Sequence, residues 1–155
     1  MKLYQLHEQL DPKSAARRFS YVTKTAPSDR EIGFIGHAPG KRFSGDKSKV
    51  QIKFDPSDPE IQKAYVYHTH PYGPEGPSAL GSLPSEQDLV SAVENSQRGL
   101  MGLVIYNGPF YTVVVPTDRV KDDFTSYAQA IKRHDIEDAV KALDRAGFDV
   151  ETGKL

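Results

Sequence analysis

The chain contains no cysteine, which removes thiol nucleophiles, disulfides and cysteine-ligated metal from consideration. That absence is consistent with a reducing compartment. Neither sign of charge is in excess, since 20 basic residues stand against 21 acidic ones. Proteins that work on nucleic acid or anionic membrane usually carry a basic excess or stripe. Short groupings such as Arg17-Arg18 and Lys41-Arg42 read instead as solvated surface. No apolar run approaches a membrane span, and the opening Met1-Lys2-Leu3-Tyr4-Gln5 holds no signal-peptide core. The expectation is a cytoplasmic protein with no nucleic-acid or membrane partner. Internal repeats and low-complexity tracts are missing too.

What is present fits one globular domain over residues 1–155, with 37% hydrophobic and 26% charged residues. At this length roughly two-thirds of the unfolded surface can be buried. A metal bound here would therefore serve chemistry more than folding. Asp11-Pro12 opens a helix, with Asp11 as its cap and Pro12 at the first position, where a missing N–H costs nothing. Ala15, Phe19 and Val22 follow at near-helical spacing, and Pro27 stands beyond the end. Residues 31–36 read as a strand that ends at the turn residues Pro39-Gly40. Val50, Ile52 and Phe54 alternate, predicting a half-buried strand over residues 49–54. Residues 64–68 are β-rich, and a loop dense in Pro, Gly and Ser follows over 71–84.

Ser85 then caps a helix with Leu89, Ala92 and Val93 on its apolar face. Two strands flank Asn107-Gly108, a pair suited to a type I′ hairpin turn. Val120, Phe124, Tyr127 and Ile131 form a helical stripe, continued or restarted at Ile136, Val140 and Leu143 and stopped at Gly147. These C-terminal helices, within residues 118–146, should pack on the rest of the domain. The order α-β-β-β-α-β-β-α makes this an α+β domain around a mixed or antiparallel sheet.

Three pieces carry chemistry. In His68-Thr69-His70 the imidazoles are two residues apart, so an extended backbone projects both to one side. Neutral imidazole is a favoured zinc ligand. Taken alone, such a pair is more often two surface or core histidines. Pro84-Ser85-Glu86-Gln87-Asp88 reads first as a helix start, with Ser85 as the cap and acids complementing the dipole. Asp88 in that first turn can also point toward a neighbouring strand end. Two histidines and one aspartate would leave a fourth zinc position open, as catalytic sites require. Glu31 precedes Gly33 and Gly36, and strand glycines often mark close approach of another group. By itself Glu31 is an ordinary strand-end carboxylate.

Together, Glu31-Ile32-Gly33-Phe34-Ile35-Gly36, His68-Thr69-His70-Pro71 and Pro84-Ser85-Glu86-Gln87-Asp88 resemble the JAMM (MPN-plus, JAB-type) zinc metalloproteases. The resemblance covers residues 14–116 and is closest to stand-alone bacterial or phage-associated members. It implies an MPN-like, cytidine-deaminase-like fold, a mixed sheet flanked by helices. It also implies zinc held by His68, His70 and Asp88, with Glu31 passing a proton from activated water to the leaving amine. Ser85 would help to stabilise the oxyanion. The implied substrate is a protein or peptide, with conjugates of a ubiquitin-like tag among the candidates.

One feature departs from the family pattern. At the usual spacing after His70 the chain has Ser78 and, where the aspartate belongs, Gly81. The later Ser85 and Asp88 supply the ligand and open a real helical pattern, leaving residues 72–83 as an enlarged loop governing access. The earlier register would instead leave a non-catalytic MPN-like protein-binding module. A nucleic-acid-processing relative with the same His-x-His-Pro motif fits poorly with the near-neutral charge. His7, His37 and His134 lie far from the motif and read as solvent-exposed.

Overall fold

The computed structural model describes residues 11–24, 29–36, 42–47 and 49–155, without the side chains of Val22 and Arg42. His7, Pro27, His37, Pro39-Gly40 and Lys41 lie outside those residues. Among the described residues six strands run β1 Ile32–Ile35, β2 Arg42–Ser44, β3 Tyr65–Thr69, β4 Gly102–Asn107, β5 Phe110–Pro116 and β6 Phe148–Lys154. Four helices accompany them: α1 Pro12–Arg18, α2 Glu86–Gln97, α3 Thr125–Lys132 and α4 Ile136–Arg145. The fold is α+β. The sheet order is β2-β1-β3-β4-β5-β6, with β3 and β4 parallel and every other neighbouring pair antiparallel. A parallel pair needs a crossover, and α2 provides it between β3 and β4.

Alternation along the strands divides the core. Val66, Leu103, Ile105 and Val114 face one layer, where Leu89, Tyr127, Ala139 and Leu143 of α2, α3 and α4 cover them. Tyr65, Tyr67, Val104, Tyr106 and Val113 face the other, covered by Ala15, Ala16 and Phe19. Both faces are therefore sealed, and β3 and β4 are buried along their whole lengths. By the same alternation His68 lies on the α2 side.

α1 has seven residues, too few to hold together without tertiary support. Asp11 caps it as expected, accepting from Ser14 N at 2.9 Å. Its last carbonyls have no partner inside the helix, and the sheet supplies them. Tyr106 donates to Ala16 O at 2.6 Å and Tyr67 to Ala15 O at 3.4 Å, both buried. Tyr106→Phe should leave a buried carbonyl unpaired and cost about 1–3 kcal/mol. Urea denaturation measures this, and an unchanged midpoint would show that water reaches Ala16 O.

Several elements depart from expectation. Residues 49–54 keep the alternation, with Val50, Ile52 and Phe54 half-buried between exposed neighbours, yet they form no strand. Both edges of β1 are already taken, by β2 and β3. The segment therefore crosses the sheet face instead, with Ile52 over Gly33. A Cβ at Gly33 would lie 2.6 Å from Ile52 Cδ1, so the strand glycine marks a close approach. The hairpin turn is also displaced. Asn107 pairs with Phe110, so Gly108 and Pro109 are the turn. Gly108 has φ +56°, but proline cannot take the second positive φ of a type I′ turn.

The C-terminal stripe breaks into α3 and α4 at His134, an exposed residue with φ +55°. Gly147, at φ +101°, does stop α4. The chain then adds β6, an edge strand that the pattern did not announce.

Candidate functional site

The end of β3, the start of β1 and the first turn of α2 meet at one point. His68 and His70 project to the same side, as their spacing requires, and their Nε2 atoms are 3.1 Å apart. The Asp88 carboxylate reaches both, with Oδ1 3.5 Å from His68 Nε2 and Oδ2 3.2 Å from His70 Nε2. Glu31 Oε1 lies 3.8 Å from His68 Nε2. Ligand atoms of Glu31, His68 and His70 all fall within 4.8 Å of one another, close enough to hold a metal ion.

Four ligands around zinc at about 2.0–2.1 Å in tetrahedral array stand about 3.3 Å apart. The separations among His68, His70 and Asp88 scatter around that value, and the Glu31 contact is longer. The donor set is also chemically suited to a cation, because acceptor atoms converge with little between them. His70 Nδ1 donates to Gly81 O at 2.9 Å, which turns its Nε2 toward the cluster.

Local structure explains each placement. Ser85 and Asp88 form a reciprocal cap, with Asp88 N donating to Ser85 Oγ at 3.0 Å and Ser85 N to Asp88 Oδ2 at 2.9 Å. The bland helix-start reading of Ser85 and Asp88 is therefore right. It is compatible with a site because the cap uses a lone pair of the hydroxyl and leaves its proton to donate. Glu31 extends the β1–β2 pairing by one residue, its N–H bonding Asp46 O at 2.7 Å and its carbonyl accepting from Gly45 N at 2.9 Å. Thr69 pins the adjoining residue, its Oγ1 accepting from Ile32 N at 3.0 Å.

Burial shapes the charges. The Glu31 carboxyl is pushed up to about 7, mainly by burial and further by the Asp88 and Asp46 carboxylates, against the opposing charge of His70. Burial lowers His68 toward the neutral form, outweighing its bond to Asp88. For His70 burial pulls the same way, but Asp88, Gly81 O and Glu31 prevail and raise it. Burial would raise Asp88, yet its bonds to the two histidines hold it well below the usual carboxylate range.

The Gly81 carbonyl lies against His70 Nδ1, and the carboxylate that reaches the two imidazoles comes from Asp88. The loop over residues 72–83 is more than a gate. Its first half is exposed, but Ser82 is only 1% exposed, and its Oγ lies 2.9 Å from Thr112 Oγ1. Leu83 is buried in the core. The sequence reading missed the Gly81 carbonyl, Thr69 and Asn107. No side-chain pattern announces a backbone acceptor, though Pro109 did carry the information that moves Asn107 out of the turn.

A groove of about 560 Å³ leads from Glu31, His68, Ser85 and Asp88 between residues 49–53 and the flank of α2. No protein-family model matches the chain, and neither does any curated protein or solved structure. Among the described residues no helix is long and apolar enough to cross a membrane.

Proposed function

We propose that this chain is a zinc-dependent peptidase or isopeptidase of the JAMM, MPN-like kind, acting on a protein or peptide substrate, with conjugates of a ubiquitin-like tag among the candidates. One observation carries the reading: His68 Nε2, His70 Nε2 and the Asp88 carboxylate converge at 3.1–3.5 Å, with the buried Glu31 carboxylate beside them. His68, His70 and Asp88 would hold the ion, which when bound supplies Lewis acidity to polarise water and the scissile carbonyl. Glu31 takes the proton of water as its oxygen attacks the carbonyl carbon. It returns that proton to the nitrogen as the C–N bond breaks, giving a carboxylic acid and a free amine. A carboxyl titrating near neutrality suits both halves of that transfer. Ser85 donates its free hydroxyl proton to the oxyanion, a contribution typically worth about 3–4 kcal/mol.

The groove supports an extended substrate. Among the described residues nothing pairs with the backbone of residues 50–54, of which residues 50–53 line the groove. Unpaired extended backbone recognises peptides by adding a strand.

The test combines metal quantification of purified protein with cleavage of linear and isopeptide-linked substrates. Chelation should abolish turnover and added zinc restore it. Fully zinc-loaded protein that turned over neither substrate would leave a non-catalytic binding module.

A further inference from the structure

Asn107 ends β4 and is only 2% exposed, so its amide must be satisfied inside the protein. Its Nδ2 donates to His70 O at 2.9 Å, and its Oδ1 accepts from Ser78 N at 2.7 Å. The amide cannot be flipped, because a backbone carbonyl only accepts and a backbone N–H only donates. Ser78 continues the chain of contacts, its Oγ accepting from Gly81 N at 2.9 Å. Gly81 closes the ring, since its carbonyl takes the Nδ1 proton of His70 at 2.9 Å. The backbone of His70 is gripped on its other side by a bond from its N–H to Tyr106 O at 2.7 Å.

A side chain at Gly81 would displace the Asn107 amide. A Cβ would stand 2.5 Å from Asn107 Oδ1 and 2.7 Å from its Cγ. Ser78 and Gly81 also repeat, seven residues earlier, half of the cap made by Ser85 and Asp88. One copy supplies a carboxylate to the cluster, and the other supplies a carbonyl to the far side of the His70 ring.

Resting on the metal reading above, we propose that Asn107 and Ser78 are positioning residues that set the tautomer and ring orientation of His70. A free imidazole exchanges its proton between two nitrogens and turns about its side-chain bonds. The Gly81 carbonyl removes both freedoms, and it is aimed by a loop tied to β4 through Asn107. Losing a partner that orients a metal-ligating histidine typically weakens metal binding about 10–100-fold.

Three variants test this: Asn107→Ala, Ser78→Ala and Ser78→Thr, the last keeping the hydroxyl. Zinc affinity by chelator competition should fall about 10–100-fold in Asn107→Ala, and in the same direction in Ser78→Ala. Ser78→Thr should bind as the unmodified protein does. A second readout needs no metal: nitrogen-15 NMR of the apoprotein, at a pH high enough that the imidazole is neutral, should report His70 protonated at Nδ1, and a mixture of tautomers in both alanine variants. Folded variants with unchanged zinc affinity and unchanged tautomer would overturn the proposal, even if their melting temperatures fell. Should Asn107→Ala fail to fold, the Ser78 pair decides, because Ser78 is exposed. If the unmodified protein took up no zinc, the hydrolytic reading would fall by itself. The NMR comparison would still decide this one, persistence of the Nδ1 tautomer in the variants overturning it and its loss supporting it.

Discussion

Asp88→Ala should weaken zinc binding by more than about a hundredfold, because even the loss of a partner behind a ligand costs 10–100-fold. The carboxylate touches both imidazoles, at 3.5 and 3.2 Å. The same substitution removes the bond from Ser85 N to Asp88 Oδ2, a charge-assisted contact worth about 1.5–3 kcal/mol. A drop in stability could therefore be mistaken for a drop in affinity. Asp88→Asn separates the two effects, since the amide oxygen still accepts from Ser85 while the anionic ligand is gone. Chelator competition on folded protein should then show Asp88→Asn close to Asp88→Ala in zinc affinity, with the helix cap retained and a higher melting temperature than Asp88→Ala. Full zinc occupancy in either variant would move the ligand role to Glu31, whose carboxylate groups with the two histidines within 4.8 Å.

Glu31→Gln should do the reverse, keeping zinc and losing turnover by at least about a hundredfold, the lower end of what a positioned general base contributes. Glu31 is 4% exposed and sits at 3.8 Å from His68 Nε2, beyond the spacing of the other three groups. Glutamine preserves the volume and much of the hydrogen bonding there, and it cannot take a proton. Zinc content and fold should therefore stay near wild type, and substrate should still bind the groove, which would make the variant a substrate trap. Single-turnover cleavage on metal-quantified protein reads the effect. Unchanged cleavage would remove Glu31 from the mechanism, whereas loss of zinc would make it a ligand.

The parts of this site that could be read from the chain were those governed by short-range geometry. Two residues apart on a strand means one face, so His68 and His70 had to converge. A serine followed three residues later by an aspartate has its own capping geometry, so Ser85 and Asp88 were placed before any tertiary contact was considered. Asp11 and Gly147 likewise announced the beginning of one helix and the end of another. Residues 49–54 show where such reasoning stops. Alternation states that one side is buried, but a strand also needs a free edge, and β1 had none left to offer.

By itself, then, the sequence determined which donors exist, which of them share a face, and that thiol chemistry is absent, because these depend on composition and on contacts a few residues apart. The tertiary structure decided that Glu31 meets His68 across 37 positions, that the Asp88 carboxylate reaches both histidines, and that residues 148–154 become an edge strand. It also decided that a glycine carbonyl and a buried asparagine stand behind His70. Those outcomes depend on which strand edges remain unpaired and where backbone polar groups find partners. Neither is encoded locally, since each is settled only when distant segments compete for the same edges and the same hydrogen bonds.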